Sequence, residues 1–175
     1  MRVAIFGSAF NPPTKGHRDA VASLLEVERS FDEVLLIPSY THAFGKSMLD
    51  YDLRIEMLKT FVDDLAIEKV KAFPIEHKLA KNDLPVYTYD LLEHLQAHYF
   101  PKDQLSFAIG PDNQLNWDKF YKADEIKAQW SLTVVPERQP IRSTLVRNCL
   151  QSGQSIEELV TPSVNRLIKE KGLYV

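Results

Sequence analysis

The chain has 175 residues, of which 45% are hydrophobic and 26% charged, and its formal net charge is -3. A chain of this length can bury a core without disulfides or a structural metal, and its composition excludes the disordered and fibrous classes. The charge balance excludes a protein that grips nucleic acid along its whole surface, while it leaves room for a local anion site.

Cysteine usage and hydropathy indicate the compartment. Cys149 is the only cysteine, which fits a reducing cytosol, because a lone thiol cannot form an internal disulfide. The N-terminal residues lack the long apolar run of a signal peptide, and no segment approaches the length of a membrane span. We therefore expect a cytoplasmic protein with no membrane or nucleic-acid partner, and the sequence leaves open whether it forms a homo-oligomer.

Short apolar runs alternate with segments of helical spacing along most of the chain. The first run is bounded by Gly7 and Ser8, the second is stopped by Pro38, and helical spacing follows each of them. The predicted strands are residues 3–6, 34–37, 70–75, 105–109 and 132–135. The predicted helices lie at residues 20–25, 53–65 and 89–98. Because such alternation forms parallel sheets through right-handed crossovers, we predict the doubly wound α/β class, with a Rossmann-like open sheet.

The pattern becomes helical after the fifth predicted strand. Residues 143–144 are predicted to cap one helix, and residues 155–158 have the spacing of a capping box. The pair at 161–162 is a good N-cap and N1 combination, and Gly172 closes the last helix. No linker divides the chain. We predict one domain over residues 1–175, with residues 141–175 as a helical C-terminal appendage.

The run GSAFNPPTKGH at residues 7–17 joins the first predicted strand to the first predicted helix. Ligands of open parallel sheets bind beyond the carboxyl ends of the strands, so this loop is the favoured place for a site. Gly7 and Gly16 let the backbone approach a ligand closely, and Lys15 adds a mobile positive charge. His17 lies at or near a helix N-terminus, where N–H groups and the helix dipole favour phosphate. The run is neither a Walker loop nor a dinucleotide fingerprint, and it predicts an anion cradle.

The same run resembles the G-x-F-[DN]-P-x-[HT]-x-G-H signature of the nucleotidyltransferase superfamily, specifically that of its nicotinate and nicotinamide mononucleotide adenylyltransferases. The resemblance implies an ATP-phosphate site made by Gly7, Ser8, Phe10, Asn11, Thr14, Gly16 and His17. The chain departs from the pattern at Thr14, where bacterial members often carry a first histidine. This departure shifts the expected phosphate contacts to His17, the turn backbone, Lys46 and Arg147, and we predict that these three side chains are catalytic.

A second motif lies near the C-terminus, where PIRSTLVR at residues 140–147 resembles I-S-S-T-x-x-R of the same enzymes. Ser143 and Thr144 are hydroxyls at a predicted helix N-terminus, and Arg147 lies one turn further on. This arrangement predicts a second phosphate site that faces the first. Arg142 replaces the first serine of the family pattern. Taken alone, the segment fits a helix cap with a solvated arginine equally well.

The middle of the chain contains a third motif. FAIGPD at residues 107–112 resembles F-x-x-G-x-D, which implies that Gly110 and Asp112 lie near the nucleotide. Trp117 follows it and is the predicted partner of the pyridine ring. A packing role is the alternative for Trp117, because Phe120 falls closer to the usual position of the family's tryptophan.

Two further segments match the family. PVYTYD at residues 85–90 resembles P-x-Y-T, which implies that Thr88 helps to hold the pyridine nucleotide, and an N-cap role is its alternative. PSYTHAFGK at residues 38–46 matches the segment after the second strand, whose lysine, here Lys46, is expected to reach the triphosphate. A solvated charge is the alternative for Lys46, and a surface position is the alternative for His42 before it.

The resemblance implies that a mononucleotide 5′-phosphate attacks the α-phosphorus of ATP and releases pyrophosphate. Positioning and charge stabilisation are sufficient for this chemistry, so no enzyme nucleophile is required. We expect dependence on Mg²⁺ bound with ATP, because magnesium usually arrives on substrate phosphates and water. No protein metal site is predicted, since His77, His94 and His98 have no ligand spacing.

Two alternatives stay open. A phosphopantetheine adenylyltransferase of coenzyme A biosynthesis shares the turn at residues 7–17, called the first turn below, and a related Ser/Thr segment. Thr88 and Asp112 favour the pyridine-nucleotide branch. A non-catalytic nucleotide-binding protein of the same fold is the other alternative, motivated by Thr14 and Arg142. The sequence does not decide between nicotinate and nicotinamide acceptors, because one charge on the ring separates them.

Overall fold

The computed structural model describes residues 1–26, 31–41, 48–82 and 84–175. Within these ranges five strands form one parallel sheet in the order β3-β2-β1-β4-β5. The strands are β1 (Arg2–Ser8), β2 (Glu33–Pro38), β3 (Val70–Ala72), β4 (Gln104–Ile109) and β5 (Ser131–Val134). The predicted doubly wound α/β class is confirmed. Strands β1 and β4 are neighbours at the point where the strand order reverses, which is where such sheets bind ligands.

Helices connect the strands and cover both faces of the sheet. The α-helices are α1 (Lys15–Leu25), α2 (Tyr51–Leu65), α3 (Thr88–His98), α4 (Pro111–Leu115), α5 (Ala123–Gln129), α6 (Ser143–Gln151) and α7 (Pro162–Lys171). Short 3₁₀ helices occupy Glu76–Lys78 and Trp117–Lys119. Among the described helices, none combines the length and the apolar character that are needed to cross a membrane.

Two hydrophobic cores lie on opposite faces of the sheet, because successive side chains of a strand point to opposite sides. In β1, Ala4 packs into one core, whereas Val3 and Ile5 pack into the other. The first core is completed by α1, α2, α6 and α7, and the second by α3 and α5. The central strands are therefore buried on both faces, as their continuous apolar runs predicted.

The two C-terminal helices share the core of the first face. Val146 of α6 and Val164 and Ile168 of α7 are at most 1% exposed within that core. Asp64 near the end of α2 caps α7, since its carboxylate accepts hydrogen bonds from the backbone N–H and the hydroxyl of Ser163. Residues 141–175 are therefore packed against the sheet rather than attached at its periphery.

The structure corrects one predicted helix and one predicted helix cap. The helix predicted from the capping-box spacing at residues 155–158 is wrong, and of these residues only 157–158 belong to a turn, which precedes α7. Pro162 is the reason, because the residue before a proline is restricted from helical geometry and a helix cannot continue through it. Residues 143–144 do not cap α6, whose N-cap is Arg142 without a side-chain cap bond. The last helix is confirmed, with Thr161 at its N-cap and Gly172 at φ 59° after its end.

Candidate active site

A cavity of about 550 Å³ opens at the carboxyl ends of β1 and β4. This volume is within the usual range for a nucleotide-sized ligand. The cavity brings together predicted site residues from three distant parts of the sequence. They are Gly7, Ser8, Gly16, His17, Gly110, Asp112 and Ser143. The sequence motifs at both ends and in the middle of the chain thus meet at one place in the fold.

Two helices direct their N-termini towards the cavity. Helix α1 presents Gly16 and His17, and α6 presents Ser143. The first N–H groups of a helix have no partner inside the helix, and the helix dipole adds a partial positive charge there. The cavity is therefore suited to an anion such as a phosphate chain.

Thr14 and His17 fix the start of α1 through a capping box. The Thr14 hydroxyl oxygen accepts hydrogen bonds from the N–H groups of Gly16 at 3.1 Å and His17 at 3.4 Å. In return, Nδ1 of His17 accepts the backbone N–H of Thr14 at 2.9 Å. An accepting Nδ1 cannot hold a proton, so the neutral imidazole bears its proton on Nε2. Nε2 lies 3.2 Å from the hydroxyl of Ser8, on the cavity side.

Aromatic rings keep the imidazole of His17 neutral. The ring of Phe10 lies 4.8 Å from the His17 ring between centroids, and Phe6 lies 6.2 Å away. Burial lowers the pKa of His17 to about 4, because the surrounding protein disfavours the charged imidazolium. Phe10 itself is fully buried at φ 47°, a left-handed conformation that is uncommon for a bulky residue. At neutral pH, His17 is therefore a neutral Nε2–H donor.

The C-terminal part of the chain holds the first turn in place. The Thr14 hydroxyl donates to the carbonyl of Ile141 at 3.1 Å, and the Ser143 hydroxyl donates to the carbonyl of Pro12 at 2.7 Å. A Cβ atom at Gly16 would lie 2.1 Å from the carbonyl oxygen of Ile141. Gly16 is thus required by the close approach of the two segments, which the sequence alone did not indicate.

Arg147 also links the C-terminal segment to the first turn. Its Nη1 donates to the carbonyl of Asn11 at 2.7 Å, and its Nη2 donates to the hydroxyl of Thr144 at 3.2 Å. Arg147 therefore lies beside the turn at residues 7–17, although neither Arg147 nor Thr144 lines the cavity, and their phosphate contacts stay predictions. Direct phosphate contacts by Thr14, Phe10 and Asn11 stay predictions, since these residues are at most 4% exposed and serve here to shape the turn.

Five charged side chains at the rim were not singled out from the sequence as a group. Arg142 donates to both carboxylate oxygens of Glu137 and reaches Oδ2 of Asp112 at 3.3 Å. Arg138 pairs in the same way with both oxygens of Asp19. Each arginine neutralises carboxylates that would otherwise repel an anionic ligand. Asp19 lies in α1 and Asp112 in α4, whereas the other three lie between β5 and α6, so no local spacing predicted these pairs.

A buried arginine supports the loops that leave β1 and β2. Arg54 of α2 is 1% exposed, and its guanidinium donates to the carbonyls of Ala9, Leu49, Ser39 and Tyr40. Glu76 lies next to this group and accepts the N–H of Tyr40 at 3.1 Å. A sequence signal existed, because Arg54 falls at helical spacing with the core residues Met57, Leu58 and Phe61.

Thr88 and Trp117, the residues predicted to bind the pyridine nucleotide, do not line the cavity. Trp117 is 4% exposed, stacks on Phe120 with ring centroids 4.5 Å apart, and donates its indole N–H to the carbonyl of Ala123. These contacts support the packing alternative, and stacking of Trp117 on a pyridine ring stays a prediction. Thr88 is the first residue of α3, whose N-cap is Tyr87, and Thr88 is half-buried. The N-cap alternative for Thr88 is therefore wrong by one residue.

Lys46 and His42 lie outside the described residues, so the predicted contact of Lys46 with the triphosphate stays a prediction. Within the described ranges, no cluster of three or more His, Cys, Asp or Glu side chains is arranged to hold a metal ion. The carboxylates that line the cavity are instead paired with the rim arginines.

Comparison with known proteins gives three kinds of match. Residues 5–149 match the family model described as cytidylyltransferase-like. The nicotinate-nucleotide adenylyltransferase of Bacillus subtilis is 30% identical over 193 residues, which cover 99% of this chain and 98% of that protein. The matched region includes all three motifs that meet at the cavity.

Solved structures agree with the sequence comparison. A crystal structure from Vibrio parahaemolyticus, assigned provisionally as a nicotinate-nucleotide adenylyltransferase, is 40% identical and has a TM-score of 0.85 over 99% of this chain and 94% of that chain. A nicotinic acid mononucleotide adenylyltransferase of Plasmodium falciparum, solved with NaAD, is 16% identical and has a TM-score of 0.76 over 99% of this chain and 97% of that chain. At that identity, the second match shows a shared fold.

Proposed function

Because the chain belongs to the cytidylyltransferase-like family, and within it to the nicotinate-nucleotide adenylyltransferases, we propose that it transfers the AMP moiety of ATP to nicotinate mononucleotide. The products are a dinucleotide and pyrophosphate, and the reaction is a step of NAD biosynthesis. The observation that supports this function most directly is the cavity that His17 and Ser143 line together from the N-terminal turns of two helices. We place the reaction in the cytoplasm, in keeping with the lone thiol of Cys149.

The geometry provides the two requirements of adenylyl transfer. The N-termini of α1 and α6 bind the triphosphate, and the 5′-phosphate of the acceptor then attacks the α-phosphorus in line with the departing pyrophosphate. His17 donates its Nε2–H to the α-phosphate oxygen on which negative charge accumulates. Its Nδ1 is held by the backbone of Thr14, so the donor direction is set before ATP arrives. Arg147 and Lys46 are the further cations that we assign to the transferring phosphates.

Magnesium fits this site as a companion of the nucleotide. The carboxylates of Asp19, Asp112 and Glu137 are paired with arginines, so these three side chains are not free to coordinate magnesium that arrives on the nucleotide. We expect the ion to be held by phosphate oxygens and water, where it neutralises charge on the leaving pyrophosphate. Removal of divalent cations with EDTA is therefore expected to abolish turnover, and excess Mg²⁺ is expected to restore it.

The acceptor is placed by a second group of residues. We assign Thr88 at the start of α3, and the segment that contains Trp117, to the pyridine nucleotide. The nicotinate form is favoured over the nicotinamide form by the names of the relatives in Bacillus subtilis and Vibrio parahaemolyticus.

An acceptor assay tests the proposed function. Purified chain is incubated with ATP, Mg²⁺ and one of nicotinate mononucleotide, nicotinamide mononucleotide or phosphopantetheine, and pyrophosphate and the adenylylated product are measured. We expect the largest kcat/KM with nicotinate mononucleotide. Turnover with phosphopantetheine alone would identify the coenzyme A branch instead. Tight ATP binding in calorimetry without any product would identify the non-catalytic alternative, for which Thr14 and Arg142 are the motivation.

A further inference from the structure

The penultimate residue of the chain reaches back to the first turn. The hydroxyl of Tyr174 donates to Oδ1 of Asn11 at 2.6 Å, across a separation of 163 residues. Tyr174 has φ 64°, so its backbone adopts a left-handed conformation that a non-glycine residue rarely occupies. Such a conformation persists where surrounding contacts hold it. The local backbone and the hydrogen bond together direct the Tyr174 ring inward, whereas the adjacent Val175 is exposed.

Asn11 is the point where three segments of the chain meet. It is 4% exposed, and its Oδ1 also accepts the backbone N–H of Leu49 at 3.4 Å. Its own carbonyl accepts Nη1 of Arg147 from α6 at 2.7 Å. A shift of Asn11 therefore moves the turn relative to α6, because the same residue is bonded to both the side chain of Arg147 and that of Tyr174.

Asn11 also lies three residues before the N-cap of the helix that presents His17. Thr14, at that N-cap, holds both the backbone of α1 and Nδ1 of His17. The chain between Asn11 and Thr14 contains Pro12 and Pro13, whose fixed φ angles transmit a displacement rather than absorb it. The position of Asn11 is thus coupled to that of the donor that faces the cavity.

The Tyr174 hydroxyl is a permanent donor. Burial raises the pKa of this phenol above its ordinary value, and this effect exceeds the opposing influence of the guanidinium groups of Arg147 and Arg54. The hydroxyl therefore stays protonated at neutral pH and can donate to Asn11 there.

We propose that Tyr174 is a positioning residue of the adenylyl-transfer site. Its hydroxyl fixes the Asn11 side chain and thereby holds the first turn and His17 in position relative to the N-terminus of α6. This inference rests on the proposed function. Tyr174 does not touch the reacting atoms. It acts on the rate by limiting the orientations that the turn can adopt when the transition state forms.

The test compares Tyr174→Phe, which removes one oxygen atom and keeps the ring, with the parent chain. We expect kcat to fall by roughly three- to tenfold, the value of one lost hydrogen bond, with a smaller change in KM for ATP. The matched control is Tyr99→Phe, because Tyr99 is 41% exposed and packs edge-on against Phe73 at the far end of α3. Tyr99→Phe is expected to retain the parent kcat.

A double-mutant cycle separates positioning from general support of the fold. If Tyr174 acts through Asn11, Asn11→Ala alone lowers kcat by at least as much, and adding Tyr174→Phe to it causes no further loss. If Tyr174→Phe does not fold, the kcat of Asn11→Ala alone tests whether the Asn11 side chain matters for turnover. Equal kcat in Tyr174→Phe and the parent, or a full additive loss in the double variant, would overturn the inference. A parent chain that forms no dinucleotide would instead overturn the proposed function.

Discussion

Thr14 and His17 bond to each other in both directions at the start of α1. The hydroxyl of Thr14 accepts the N–H of His17, and Nδ1 of His17 accepts the N–H of Thr14 at 2.9 Å. In the usual capping box a Glu or Gln occupies the position of His17. Here the residue that closes the cap is also the donor of the proposed reaction, so helix capping and catalysis depend on the same two side chains.

Replacement of Thr14 tests the capping half of this arrangement. Thr14→Ala removes the oxygen that caps α1 and donates to Ile141, and we expect the free energy of unfolding to fall by about 1–2 kcal/mol. Thr14→Ser keeps that oxygen and is the matched control. Urea unfolding measures the difference. Equal stability of the Ala and Ser variants would contradict the capping role.

Gly16→Ala tests the contact between α1 and the C-terminal segment. A Cβ atom at this position would lie 2.1 Å from the carbonyl oxygen of Ile141, so one of the two segments must move. A displacement on the order of 1 Å at a transfer site is expected to lower kcat/KM by about 100-fold. The melting temperature is expected to fall as well.

The control for that substitution is Gly110→Ala. Apart from its chain neighbours, no described residue has an atom within 4 Å of a Cβ built at Gly110, which has φ −80°, so the melting temperature of Gly110→Ala is expected to stay close to that of the parent. If Gly16→Ala melted at the same temperature as Gly110→Ala and kept the parent kcat/KM, the close approach of Ile141 would not matter for the site.

Arg142→Ser tests the rim charges. The substitution restores the serine of the family pattern and releases Asp112 and Glu137 from their pairing. The cavity then loses one positive charge, and we expect KM for ATP to rise by about threefold at low ionic strength. Because Arg142 is exposed, the difference should shrink as salt is added. A KM for ATP that is unchanged or lower at low salt argues against an electrostatic role of Arg142.

Glu76→Gln tests the buried group beside Arg54. Burial raises the pKa of Glu76 to about 7, whereas the unfolded chain has its ordinary value of 4.5. The folded state therefore binds more protons between these values, and the parent loses stability as the pH rises from 5 to 8. Gln cannot ionise, so the stability of Glu76→Gln relative to the parent is expected to increase over this range. Urea unfolding at pH 5, 6.5 and 8 measures the difference in free energy of unfolding between the variant and the parent. A difference that does not change with pH would contradict the raised pKa of Glu76.

Much of this architecture follows from the sequence alone. Apolar runs bounded by Gly7 and Pro38 predicted buried strands, because a strand covered on both faces has no polar alternation. The run at residues 7–17 placed His17 at a helix N-terminus, which the structure confirms, whereas phosphate binding by this run stays a prediction. These features are local, and local spacing is what a single sequence records.

The features that the sequence did not reveal depend on contacts between distant residues. Tyr174 and Asn11, and likewise Gly16 and Ile141, meet only after α6 and α7 pack against the first core. Their partners cannot be found from periodicity. The helix expected at residues 155–158 failed for a local reason of another kind, since Pro162 outweighed the capping-box spacing.

The turnover of His17→Ala with ATP, Mg²⁺ and nicotinate mononucleotide tests the central claim most directly. The Nε2–H of His17 is predicted to stabilise charge on the α-phosphate, so kcat is expected to fall on the order of 100-fold or more. Because burial lowers the pKa of His17 to about 4, the ratio of parent to variant kcat is expected to stay constant between pH 6 and 8. A kcat within about threefold of the parent, which is less than ~1 kcal/mol of barrier, would contradict the assignment of His17 and of the cavity it faces.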